Sequence, residues 1–199
     1  LSASSVTVVN SGSITAVVNN SGVNSTGNLT VSNPGTGASA STVFSFIGYV
    51  TNSNNFDWIG NGFWLGNAVP ANGADVTIIH NGTIGAGVSA SLNRMEIKSG
   101  ASLNIGTEGS ITVNDIRNDG TLNFTAAGTL NIDGQLTMSA SASIQPGNGT
   151  IAFNKNGNQT LLAGTANELN FNNLLLQGSG VKSVPAGINL IVKNFSISD

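Results

Sequence analysis

Between Gly100 and Met138 the chain repeats one short phrase, a glycine followed shortly by a four-residue alternation: "SLNI", "SITV", "TLNF", "TLNI", "QLTM". The apolar positions are Leu103 and Ile105, Ile111 and Val113, Leu122 and Phe124, Leu130 and Ile132, and Leu136 and Met138. Strict alternation sends these pairs to one side of a short strand, and Asn104, Thr112, Asn123, Asn131 and Thr137 to the other. Gly100, Gly109, Gly120, Gly128 and Gly134 stand ahead of the pairs, where positive φ is expected to turn sharp corners. Each phrase reads as a corner and a strand.

Strands this short make a poor antiparallel sheet, so a longer period is required. The first apolar residues of successive phrases group as Ile97, Ile116, Leu136; Leu103, Leu122, Ile144; and Ile111, Leu130, Ile151, in steps of about twenty residues. Three faces then share one turn, and each coil stacks on the last by parallel pairing, about 4.8 Å further on. The expected fold is all-β, a right-handed parallel β-helix over residues 75–199, with Leu103, Ile111, Leu122, Leu130, Leu136 and Ile151 buried. Ile151, Leu169 and Leu190 are expected to continue one column.

Upstream, residues 1–37 form a short β region of looser spacing, readable as early coils or as a small sheet. Residues 38–74 read as an aromatic insert or cap. Within residues 38–72 stand Trp58, Trp64, Tyr49, Phe44, Phe46, Phe56 and Phe63, and there the period is expected to break. No segment has helical periodicity with caps, and Ser, Thr, Asn and Gly are too common for long helices.

Composition narrows the partners. Charged residues are only 8% of 199, and neither a net charge of −3 nor a pI near 4.8 offers the basic field that nucleic acid or an anionic membrane needs. Cysteine is absent, which excludes disulfides, thiolate metal sites and cysteine nucleophiles. No apolar run reaches the roughly eighteen residues of a membrane helix. The sequence opens at Leu1 without Met and stops at Asp199 directly after "NFSIS", so a piece of a longer, exported protein is expected.

The stretch "DWIGNGFWLGNAVPANGADVTIIHNG", Asp57 to Gly82, resembles the Trp, Trp, Pro, Asp-Val-Thr-Ile entry to solenoid repeats in large exported surface proteins of Bacteroidetes, including gliding-type adhesins and other type IX secretion cargo. "GNQTLLAGTANELNFNNLLLQGSGVKSVPAGINLIVKNFSIS", Gly157 to Ser198, is similar to a repeat of the same proteins. The resemblance implies an extracellular or cell-surface location and a role as adhesin or stalk. The partners it implies are surface glycans or other cell-surface or secretion proteins. Solenoids of this kind serve many functions, so the architecture is the more specific part of the implication.

Chemistry is sparse. A polysaccharide lyase or hydrolase, the alternative class, needs converging carboxylates on one face. Asp115, Arg117 and Asp119 alternate and are expected to point outward together, within reach of Asp133 or Gln135 on the next coil. Solvated salt bridging is the more ordinary use of such charges. His80, the single histidine, precedes Asn81-Gly82 and reads as a turn residue. Calcium, which exported solenoids bind through carboxylates recurring each turn, is the one cofactor the pattern raises, although here Asp does not recur and "NDG" and "IDG" read as turns.

Ice binding by a flat threonine row is a further alternative, from Thr7, Thr15, Thr30, Thr77, Thr112 and Thr137, but Asn104, Asn123, Asn131 and Ala152 interrupt the row. Trp58 and Trp64 are the candidate ligand-binding residues, as a stacking platform for sugar rings, against a competing role in closing the end of the solenoid. Taken together, these readings give a non-enzymatic surface module that binds carbohydrate or spaces other parts.

Overall fold

The computed structural model describes residues 49–198 in full and, of residues 1–48, the backbone of four strands, Ser2–Asn10, Ser13–Asn19, Ser25–Ser32 and Ser39–Phe46. Those four form two separate antiparallel pairs, the first with the second and the third with the fourth. Among the described pairings these four strands pair with one another and not with the parallel strands.

From Tyr49 onward the chain is a β-solenoid of about six coils, each of about 21 residues, with essentially no helix beyond the three-residue turn Asn61–Phe63. One five-stranded parallel sheet runs through Phe56–Asp57, Gly82–Ile84, Ser102–Ile105, Thr121–Phe124 and Ser143–Gln145. A ten-stranded sheet covers most of the rest, and Gln159–Thr160 and Lys182–Ser183 form a separate parallel pair. The ten-stranded sheet holds nine-residue strands, Ser89–Ile97 and Ser110–Asn118, that bend from one face to the next. At the bend two consecutive side chains are exposed, Asn93 with Arg94 and Asn114 with Asp115, so the alternation resets there.

Inward side chains stack in register as continuous columns. Leu103 pairs with Leu122 and Leu122 with Ile144; Ile111 pairs with Leu130, Leu130 with Ile151 and Ile151 with Leu174. All seven are buried. Burial of an aliphatic side chain contributes roughly 1.5–3 kcal/mol, and the columns repeat that gain at every coil.

Three expectations need correction. Ile116 stacks between Met95 and Leu136, whereas Ile97 lies between Ile78 and Asn118 in the next column. A slip of two residues keeps every side chain on its own side, so alternation alone cannot detect it. Likewise Ile151 is followed by Leu174 and Phe195, while Leu169 pairs with Leu190 on another face. The coil after Phe153 carries the additional short strands Gln159–Thr160 and Ala163–Gly164, which delays the return.

The third correction concerns the corners. Of the five glycines before the repeated pairs, only Gly100 has positive φ, +82°, and Glu108 takes the left-handed position just ahead of Gly109. The others are small because the preceding coil is close: a Cβ on Gly120 would lie 2.3 Å from the carbonyl oxygen of Ala101, and one on Gly128 2.7 Å from that of Gly106.

Parallel pairing starts earlier than residue 75, and the aromatic segment lengthens the first repeat: Tyr49 and its partner Val76 are 27 positions apart, against 19 for Val76 and Met95. Tyr49–Val50 pairs in parallel with Ala74–Ile78, and Phe56–Asp57 with Gly82–Ile84, so the first coil is already in place there. At the opposite side of the stack, the strand Asn189–Ser198 leaves Ile191, Phe195 and Ile197 exposed.

Candidate functional site

Both tryptophans are inside the first coil, Trp58 at 2% exposure and Trp64 at 0%. Their rings meet edge to face at 5.0 Å between centroids, with Phe56 5.6 Å and Tyr49 6.4 Å from the Trp64 ring. The Trp64 indole Nε1–H donates to the Trp58 carbonyl at 3.0 Å, which satisfies its polar edge in the interior. A sugar needs an open aromatic face, and these faces are covered by one another. The stacking-platform expectation is therefore corrected: in this structure Trp58 and Trp64 close the interior of the first coil.

Beside them, His80 Nδ1 lies 3.0 Å from the Thr51 carbonyl, the geometry of an Nδ1–H donor, and Thr51 Oγ1 accepts from the Ile79 amide at 3.1 Å. The histidine ties the bend after Ala74–Ile78 to the first coil. Among the described residues no three acidic, cysteine or histidine side chains converge as metal ligands.

Two outward columns carry charged side chains. Asp75, Arg94 and Asp115 share one register, and Thr77, Glu96, Arg117 and Thr137 the next. Arg117 Nε donates to Asp119 Oδ2 at 2.7 Å and lies 3.6 Å from Glu96 Oε1, while Lys98 Nζ reaches Glu96 Oε1 at 2.7 Å. The hydrogen bond to Asp119 and its charge hold the Arg117 guanidinium above its usual pKa. Asp119 is thus engaged by a cation. Asp133 is exposed on the next coil and, among the described residues, has no side-chain hydrogen bond or ion pair that links it to Asp115, Arg117 or Asp119.

Asp115 sits apart from that network. Its Oδ1 accepts from the Gln135 amide at 2.8 Å and its Oδ2 from Asn114 Nδ2 at 3.2 Å. Here successive bends leave a polar groove of about 370 Å³, lined by Asn114, Asp115, Gln135, Lys155, Asn158 and Thr160 among others. Gln159 is its floor: buried at 4%, it donates from Nε2 to the carbonyls of Ile132 at 3.0 Å and Gly134 at 2.9 Å. Lys182 does not occupy the groove with its charge, because its ammonium is held by the carbonyls of Lys155, Gly157 and Ser179. Burial first, and then the nearby Lys155 ammonium, lower the Lys182 pKa. Lys155 itself is exposed and has no side-chain ion pair or hydrogen bond among the described residues.

No family model, no curated protein and no solved structure matches the chain. Function has to be read from the surfaces. Of the groove residues, sequence reasoning placed Asp115 and Gln135 near each other but missed Lys155, Asn158 and Thr160. They lie in the longer, aperiodic coil, and the only signal was the break in spacing after Phe153.

Among the described residues, Thr77, Thr112 and Thr137 form no continuous row. Thr77 and Thr137 are separated in their column by Glu96 and Arg117, and Thr112 is followed by Asn131 and Ala152. The side chains of Thr7, Thr15 and Thr30 lie outside the described residues.

Proposed function

We propose that this chain is a non-enzymatic, extracellular or cell-surface β-solenoid module of a larger exported protein, an adhesin or stalk segment that meets carbohydrate along its side. One observation carries the reading: outward polar groups are spent on cross-coil hydrogen bonds, as in Asn123 Nδ2 to Asn104 Oδ1 at 2.9 Å and Asn194 Nδ2 to Asn173 Oδ1 at 2.9 Å. Such ladders stiffen a rod and leave shallow, repeated contacts in which strength comes from many copies. Asp119 and Asp115 support it too, since acid–base cleavage of a glycoside needs two carboxylates flanking one bond, and here Asp119 engages Arg117 while Asp115 accepts from the Gln135 amide. The resemblance of Asp57–Gly82 and Gly157–Ser198 to exported surface proteins supplies the setting.

Incubating the folded chain with plant and bacterial polysaccharides and assaying released oligosaccharides tests this. No release is expected. Release that disappears in Asp115→Ala, Asp119→Ala or Asp133→Ala would replace the module reading with a polysaccharide-degrading enzyme.

A further inference from the structure

We propose that the groove between Asp115 and Lys155 is a binding site for an acidic sugar residue, a hydroxyl-rich ring that carries one carboxylate. The inference rests on the carbohydrate reading above and assigns it a place and a charge. At about 370 Å³ the groove falls near the lower end of small-ligand sites, about 300–1,000 Å³. It is lined by amides, a hydroxyl, a carboxylate and an ammonium, with no aromatic side chain among its lining residues. That lining suits a ligand whose surface is polar on all sides.

Charge sets the direction of the ligand. Asp115 and Lys155 both line the groove yet form no salt bridge with each other, so the two opposite charges remain separate. Asp115 is held in place by the Gln135 amide and Asn114, and a carboxylate fixed in this way accepts hydrogen bonds from hydroxyl groups. The Lys155 ammonium, without a partner among the described residues, offers three donors to a carboxylate. A uronate placed with its carboxylate toward Lys155 and its hydroxyls toward Asp115 satisfies both, and the reverse orientation sets two carboxylates against each other. Asn158 accepts from the Val181 amide through Oδ1 at 3.0 Å, which orients its unpaired NH₂ group as a further donor.

The test is a two-dimensional amide NMR titration of the folded chain with a trimer of galacturonic acid and, separately, a neutral galactose trimer. The acidic trimer is expected to shift the backbone amides of Gly134, Gln135, Asn158 and Thr160, and to bind more tightly than the neutral one. Loss of one charge-assisted contact in Lys155→Ala should weaken the acidic trimer about tenfold and leave the neutral trimer unchanged. Lys193→Ala, on a different coil, should leave both unchanged. Absence of shifts at millimolar trimer, equal affinity for the two trimers, or undiminished binding by Lys155→Ala would each overturn the proposal. The module reading fails separately, by appearance of cleaved trimer in the same tubes.

Discussion

Leu130→Asp should abolish the cooperative melting of the solenoid. Leu130 is wholly buried, between Ile111 on the coil before and Ile151 on the coil after. Truncating such a leucine costs about 2–5 kcal/mol, and an aspartate adds a carboxyl group without a hydrogen-bond partner inside the column. Because each coil is stable only against its neighbours, the defect should spread in both directions. Circular dichroism on heating reads the effect, with Ser91→Asp, at an exposed strand position, expected within about 0.5 kcal/mol of the parent.

The sign of the pH response is a second readout of the same variant. Burial favours the neutral carboxyl, so its folded pKa is raised above the unfolded value of about 3.9, and the folded state binds the proton more tightly. Residual stability in Leu130→Asp should therefore be greatest at low pH and fall as pH rises through the raised pKa. A variant that melts like the parent at neutral pH would contradict the inward placement of this column.

Gly120→Ala is expected to be nearly as damaging although it adds one methyl group. Its Cβ would lie 2.3 Å from the Ala101 carbonyl oxygen and 2.5 Å from that of Lys98, and neither backbone atom has a flexible end that can move aside. The Ala101 carbonyl also accepts from the Thr121 amide at 3.0 Å, so pushing the coils apart strains their pairing. The Gly120 amide donates to Oδ1 of Asn118, a fully buried side chain whose Nδ2 donates to the Ser143 carbonyl at 3.0 Å. Displacing the glycine endangers that polar link as well. Overpacking of this kind costs at least about 1–3 kcal/mol, and a backbone obstacle places Gly120→Ala at or above the upper end. Gly85→Ala is the matched comparison: nothing lies within 4 Å of its Cβ and its φ is not left-handed, so a gain of about 0.4–1 kcal/mol is expected from the stiffer unfolded chain. Chemical denaturation of the two variants side by side would read the difference, and equal midpoints would refute the close approach of the coils.

The columns Leu103–Leu122–Ile144 and Ile111–Leu130–Ile151 were legible in the sequence because alternation and spacing agreed there. Met95 was displaced by Ile97 in that reading because both obey the same alternation, and only the exposed pair Asn93-Arg94 marks where the face changes. Trp58 and Trp64 were visible as residues of consequence, but sequence cannot distinguish an aromatic ring that faces solvent from one that faces three other rings. The groove was only half legible. Asp115 stands on a periodic strand, whereas Lys155 is brought opposite it by an irregular coil whose path depends on Gln159 satisfying two backbone carbonyls.

The aromatic packing of the first coil has an optical consequence. Both tryptophans of the chain lie in that single coil, and the later columns are built from Leu, Ile, Val, Met and Phe. Intrinsic tryptophan emission therefore reports one end of the stack, while far-ultraviolet dichroism sums over all of it. A linear array held by nearest-neighbour contacts frays before it melts. Loss of dichroism ahead of any change in emission would mean that unravelling starts at Asn189–Ser198, where Phe195 and Ile197 are exposed. Coincident curves would mean that the coils melt as one unit.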